Sequence, residues 1–376
     1  MAAGLSDRSV ALVLGTRPEL IKFAPLVRLL GRSARVIHTG QHYDENLSGQ
    51  FLAELQVGEP DLRLGVGGRS RGGQIGEATS QLEAHFHTEP PAVVVVHGDT
   101  NATVAGALAA NAAGIPLVHL EAGLRSFDRA MPEEHNRVVA DHLSDLCLAP
   151  TETNRANLAA EGIGGDKVII TGNTVVDAVL HLLPAPEERA AILAAHGLER
   201  NRFVLATFHR PENADDPEVL DTILSELAAF PIPVVMPLHP RTRAKIAEFG
   251  LGPKLDSLRV LEPIGYRPFL GMAAESAFLA SDSGGVQEES SILKRPVLVV
   301  RHSTERPEIL GTFAQLVPPG PLISAWALEW LDNLEPLHAE LAAMPSPYGD
   351  GTAARRSLAA ISILLSQPLA RRRSLR

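Results

Sequence analysis

Cysteine is almost missing from this chain, and the one present, Cys147, lies in the apolar run Leu146-Cys147-Leu148. One cysteine cannot close an internal disulfide, which fits a reducing compartment. Its apolar setting reads as core rather than nucleophile. Aromatic residues make up only 4%, too few to favour a platform that stacks RNA bases or sugars. A basic surplus is missing as well: the formal net charge is −10, which argues against a nucleic-acid partner but leaves room for a local phosphate pocket. No apolar stretch reaches transmembrane length, and the opening MAAGLSDRS has no signal core. No membrane partner is expected, and the expected location is cytoplasmic. The arginines at 371–373 read as a solvated end. GxGxxG, HExxH, clustered Cys/His and the P-loop lysine motif are all absent, which disfavours a nicotinamide cofactor and a metal site.

What is present is a long alternation of apolar runs and helical patterns. At 376 residues the chain exceeds what one core usually serves, so two domains are expected. Val10–Leu14, Val36–His38, Val93–Val96, Ile115–Leu120, Leu146–Ala149 and Val168–Ile170 read as parallel strands, each ending in a polar turn. The pattern breaks near Pro184 and Pro186, then restarts with Phe203–Ala206, Pro233–Leu238, Arg259–Leu261, Ala277–Ala280 and Val297–Val300. The expected architecture is α/β, with two doubly wound Rossmann-like domains, residues 1–182 and 183–352. The final helical segment, within 353–376, is expected to pack back on the first domain. Gly65–Gly73 reads as a mobile loop.

The charged residues gather where strands end, and each has a plain alternative. Arg17 and Lys22 follow the first strand and can offset phosphate charge; otherwise they are solvated, with Glu19 and Lys22 paired along a helix. Ser283-Gly284-Gly285 at a helix start suits a diphosphate, or is an ordinary glycine turn. Glu288 and Glu289 compensate the helix dipole, or one of them holds a ribose diol. His209 follows another strand and can contact a diphosphate or assist its departure, and His239 is placed similarly. The densest stretch is Glu121–Arg137, EAGLRSFDRAMPEEHNR. Pro132 suits the first position of a helix, which makes Glu133 and Arg137 a natural helical ion pair. Yet Asp99, Glu121 and Glu133 together are what acid–base work at carbon needs.

The motifs GTRPELIKFAPL, TGQHYDE, VHGDTNATVAG, EAGLRSFDRAMPEEHNR, TGNTVVDAV, FHRPEN, DSGGVQEE and TERPE occur in this order between Gly15 and Gly351. In this the chain resembles the non-hydrolysing UDP-N-acetylglucosamine 2-epimerases. The resemblance implies a glycosyltransferase-B-like fold, usually a homodimer, with a UDP-sugar in the interdomain cleft and no cofactor or metal. It also implies reversible C2 epimerisation by elimination of UDP to 2-acetamidoglucal and re-addition. Carried over by motif, Asp99, Glu121 and Glu133 match the acid–base carboxylates, and Arg137 and His209 match further active-site positions. Arg17 and Lys22 match the basic pair near the nucleotide and diphosphate. Ser283 and Gly284 match the diphosphate loop and Glu289 the ribose carboxylate, with Tyr266 and Gly285 grouped beside them as substrate-binding.

Many bacterial members bind a second substrate molecule as activator through two glutamines. Gln41 and His42 match that segment, and Arg69 (or Arg71), Arg210 and His239 are available to such a site. Asp44, however, stands where the second glutamine is expected, and hyperbolic kinetics are the expectation. The alternatives are a hydrolysing relative releasing N-acetylmannosamine and UDP, an epimerase of a modified UDP-N-acetylhexosamine, and a glycosyltransferase sharing the fold.

Overall fold

The computed structural model describes residues 6–41 and 49–367. His42, Tyr43 and Asp44 lie outside the described residues. By internal packing the chain divides into two units. The first runs to Ala178 and resumes at Tyr348; the second is Val179–Pro347.

The first unit holds a seven-stranded sheet, all parallel. Its strands are β1 (Val10–Leu14), β2 (Ala34–His38), β3 (Leu62–Arg63), β4 (Val93–His97), β5 (Leu117–Leu120), β6 (Leu146–Ala149) and β7 (Val168–Ile170), in the order β3-β2-β1-β4-β5-β6-β7. The order reverses between β1 and β4, whose register pairs Leu12 with Val95. β1 and β4 are buried along their whole length, as continuous β-branched and aliphatic runs require when helices cover both faces. The helix Asn101–Ala112 lies so close over this switch that a Cβ at Gly106 would meet Val96 Cγ1 at 2.8 Å and Val13 Cγ1 at 3.1 Å. The helix Ala353–Ser366 packs on the helix Arg17–Leu30 of this same unit.

The second unit repeats the plan with six parallel strands: β8 (Val204–Thr207), β9 (Val234–Pro237), β10 (Arg259–Leu261), β11 (Phe278–Ser281), β12 (Val297–Val300) and β13 (Ala314–Val317), in the order β10-β9-β8-β11-β12-β13. Here the reversal falls between β8 and β11. Its core is lined by Val204, Leu224, Met236, Phe278, Leu298 and Trp330.

Two parallel α/β sheets of this kind are the expected fold class. The differences are local. β3 has only two residues, half-buried and exposed, and its sequence carries no periodicity to read. β13, AQLV, is interrupted by a glutamine. The loop expected over Gly65–Gly73 ends early, because Ser70 caps the helix Arg71–Thr88 by accepting the Gly73 N–H at 3.3 Å; Gly72 and Gly73 are helical. Cys147 is buried, and burial pushes its thiol well above the ordinary range, as a core residue requires.

Candidate functional site

In open α/β sheets, ligands bind beyond the carboxyl ends of the strands, where the strand order reverses. In the first unit Arg17 and Asp99 follow the two strands at the reversal, and in the second His209 and Ser283 do; Glu121, His239 and Tyr266 follow strands further out.

In the first unit the centre is Glu121, which follows β5 with φ +64°. A non-glycine residue there carries roughly 1–2 kcal/mol of strain, so the surroundings must hold it. Lys22 donates to Glu121 Oε2, Asn173 Nδ2 donates to the same oxygen at 2.7 Å, and His97 Nε2 lies 3.7 Å away. Lys22 and Glu121 are both buried. The expected helical pair of Glu19 with Lys22 is not formed; Lys22 reaches Glu121 instead, because Lys22 points into the sheet's end and Glu19 is occupied by turn donors. Gly98, at the end of β4, adopts φ +62°, and a Cβ there would stand 3.6 Å from Glu121 Oε1.

Asp99 accepts from Arg137 Nη2 at 2.7 Å. Arg137 is buried in the helix Pro132–Leu143, and its Nη1 donates to Glu134 Oε2 at 2.9 Å. The pair expected between Glu133 and Arg137 is thus replaced by Glu134 and Asp99. Glu134 is the buried neighbour, fixed by the Ser126 and Phe127 N–H groups at 3.0 Å each. Glu133 is half-buried and takes no hydrogen bond or ion pair among the described residues. Asn136 Nδ2 donates to the Asp99 carbonyl at 2.8 Å, and Arg71 Nη2 donates to Asn136 Oδ1 at 2.6 Å. Beneath, His119 on β5 spans Asp141 Oδ1 and the Gly98 carbonyl, 2.7 Å on each side. Burial would raise the Asp141 carboxyl, but His119 and Arg125 outweigh it and hold it below the ordinary range. Arg17 lies with its guanidinium 4.2 Å from the Phe51 ring centre.

In the second unit the organising group is Asp282, fully buried after β11. It accepts the His209 N–H at 3.1 Å, the Arg210 N–H at 3.0 Å and Asn213 Nδ2 at 3.2 Å. His209 Nδ1 lies 3.2 Å from Asp282 Oδ1. Burial alone would raise this carboxyl; His209, Arg210 and Asn213 together hold it below the usual range. The ring is therefore oriented from its Nδ1 side, which turns Nε2 away from Asp282.

Ser283 opens the helix Gly284–Leu293 without a side-chain cap, so its first N–H groups remain available to an anion. At Gly284 a Cβ would crowd the ends of two side chains, Arg306 Nη1 at 2.9 Å and Glu305 Oε1 at 3.0 Å, which are tied to Glu288 and to each other. Gly285 is open by comparison. Of the two helix glutamates, Glu288 is bound by Arg306 Nε at 2.8 Å. Glu289 instead accepts from the Tyr266 hydroxyl at 2.7 Å, which makes Glu289 the one turned toward that side.

Gln41 Oε1 accepts the Ala102 N–H at 3.2 Å, and Gln74 Nε2 donates to the carbonyls of Gln41 and Arg69 at 3.4 and 3.3 Å. The Arg69 side chain is exposed. In the second unit Arg210 Nε donates to the Asp282 carbonyl at 3.1 Å. The ring of His239 lies 5.5 Å from that of His209, while its Nδ1 accepts the Arg241 N–H. His42 lies outside the described residues.

Three residues escaped the reading of the sequence. Asn173 and His97 face Glu121, and Asp282 orients His209. Each ends or follows a strand within a quoted motif, and that position was the available signal.

The family described as UDP-N-acetylglucosamine 2-epimerase matches residues 30–362. A Methanococcus maripaludis protein named UDP-N-acetylglucosamine 2-epimerase is 39% identical over 356 residues, 92% of this chain and 96% of that protein. A Pseudomonas aeruginosa UDP-2,3-diacetamido-2,3-dideoxy-D-glucuronate 2-epimerase is 37% identical, covering 81% and 86%. The crystal structure of Methanocaldococcus jannaschii UDP-GlcNAc 2-epimerase in complex with UDP-GlcNAc and UDP superposes with a TM-score of 0.84 at 37% identity, covering 94% and 99%.

Proposed function

We infer the reaction of this chain from its family: it belongs to the UDP-N-acetylglucosamine 2-epimerases, a family of isomerases with a glycosyltransferase-B-like fold. Our proposal is that it interconverts UDP-N-acetylglucosamine and UDP-N-acetylmannosamine. The hydrogen on C2 of a pyranose has no adjacent carbonyl and is not acidic, so direct removal and return of the proton would face a high barrier. Elimination avoids this. A base takes the C2 proton, the C–H electrons form the C1–C2 double bond, and the C1–O bond breaks to release UDP. Protonation of 2-acetamidoglucal at C2 from the other face, with return of the UDP oxygen to C1, gives the epimer.

The observation that carries the reading is the buried Glu121, held by Lys22 and Asn173 beside the Asp99 turn. Asp99, Glu121 and Glu133 are assigned to the proton transfers as a group. Arg137 fixes Asp99. His209, oriented by Asp282, presents Nε2 to the departing diphosphate. Gly284 and Gly285 supply N–H groups to it and Ser283 its hydroxyl, the Ser283 N–H being donated to Ser281 Oγ at 3.0 Å, and Glu289 with Tyr266 receives the ribose. Arg17 and Lys22 balance phosphate charge. A homodimer is part of the same proposal.

The Pseudomonas relative supports a second reading, a modified UDP-N-acetylhexosamine as substrate. NMR of the products formed from UDP-GlcNAc in D2O tests both. UDP-ManNAc with deuterium at C2 is the expected result. Free ManNAc plus UDP would indicate the hydrolysing reaction. No C2 exchange with UDP-GlcNAc, but exchange with a diacetamido uronate, would move the assignment to the second reading.

A further inference from the structure

Glu19 is a buried carboxylate that the reaction does not use, 3% exposed, and no cation among the described residues faces it. Its Oε2 accepts the Gly15 N–H, the Thr16 N–H and the Thr16 hydroxyl, each at 2.9 Å. Its Oε1 accepts the Thr100 hydroxyl at 2.9 Å. Thr100 is itself tied to Thr103, whose hydroxyl donates to the His97 carbonyl at 2.6 Å. One carboxylate is therefore shared by the turn after β1, which leads into Arg17, and the turn after β4, which carries Asp99. We propose that Glu19 is a positioning residue whose ionised carboxylate clamps these two turns together and so sets where Arg17 and Asp99 stand in the reaction.

The proposal rests on the epimerase reading above. Charged groups on the surrounding elements are engaged elsewhere. Lys22, on the same helix, pairs with Glu121, with His97 of β4 nearby. Asp99 pairs with Arg137 from the helix Pro132–Leu143. His38, ending β2, accepts the Gly40 N–H. Glu19 thus keeps its charge on neutral donors alone. Burial lifts its pKa to about 7, although the Gly15, Thr16 and Thr100 donors pull the other way. A proton on Oε2 would face three donors, and one on Oε1 would force the Thr100 hydroxyl to turn. Protonation therefore slackens the clamp near neutrality. A raised carboxyl favours the folded state below its unfolded pKa, and that contribution is lost as pH rises through the folded one. The active, ionised form is thus the less stable one.

The test compares wild type with E19Q, which mimics the protonated acid, and T100V, which removes one donor. The readouts are the pH profile of kcat/KM in the NMR assay and the melting temperature at alkaline pH. E19Q is expected to melt no lower than wild type there, to lose roughly ten- to hundredfold in kcat/KM, and to lack the acid limb near pH 7. T100V is expected to move that limb to higher pH. An E19Q enzyme with the wild-type rate or limb, or a T100V limb that stays in place, overturns the proposal. If no UDP-hexosamine is turned over, the reading of the reaction fails separately. The 13C-carboxyl titration of Glu19 then decides: a midpoint near 7 that T100V raises supports the clamp, and one near 4.5 overturns it.

Discussion

A carboxylate that is to exchange a proton with carbon must be held in place without being permanently neutralised, and the two glutamates in question are treated oppositely. Glu121 is strained, buried and bound by Lys22 and Asn173; Glu133 has no partner among the described residues. On the proposed function, E121Q and E133Q should each lower kcat on the order of a hundredfold or more while leaving UDP affinity nearly unchanged by calorimetry. A variant that loses UDP binding but keeps saturating turnover would falsify the assignment. Asp282 acts one step back. Its depressed pKa means that its stabilising contribution is present above the ordinary carboxylate range and lost as pH falls through the folded value. D282N should therefore flatten the acid side of the denaturation-versus-pH curve. Near neutrality it should cost about 1–3 kcal/mol, because the N–H groups of His209 and Arg210 lose part of their acceptor.

At the scale of elements, the helix Gly284–Leu293 shows how a proposed anion site depends on what lies behind it. Its N–H groups can approach an anion because no side chain caps them, and its first glycine leaves room for the guanidinium of Arg306. G284A should push against Arg306 and Glu305, tilt the helix start and weaken UDP binding roughly tenfold, about 1.4 kcal/mol, as measured by calorimetry. Much of this level was legible in the sequence. Buried parallel strands are written as runs such as VVVV at Val93–Val96, and the glycine turns after them follow from the chain reversing into a helix. Partner choice was not legible. Helical spacing alone favours Glu19 with Lys22 and Glu133 with Arg137, but Lys22 goes to Glu121 and Arg137 to Glu134 and Asp99. These choices depend on which neighbouring strand end comes within reach. Asn173 was illegible for the same reason: its contact with Glu121 reaches from the end of β7 across β6 to the end of β5.

For the molecule as a whole, the two units use one plan, with candidate residues following the strands at each sheet's reversal. The first unit is also discontinuous in sequence. In the helix Ala353–Ser366, Leu358, Ile361 and Leu364 are buried, each worth about 1.5–3 kcal/mol. Asp177 accepts the Ala353 and Ala354 N–H groups at 3.1 Å, and the Asn173 N–H donates to the Tyr348 carbonyl at 2.8 Å. A chain stopped after Pro347 should lose several kcal/mol from the first unit and expose apolar surface, seen as dye binding and a lower or absent melting transition.

This discontinuity bears on the order in which the protein is made. The seven strands of the first sheet leave the ribosome before residue 171, but the segment that covers the helix Arg17–Leu30 emerges only after every strand of the second sheet. Throughout synthesis of the second unit the nascent first unit carries an uncovered apolar face. That interval is when a chaperone has something to hold, and when two growing chains on one messenger can stick together.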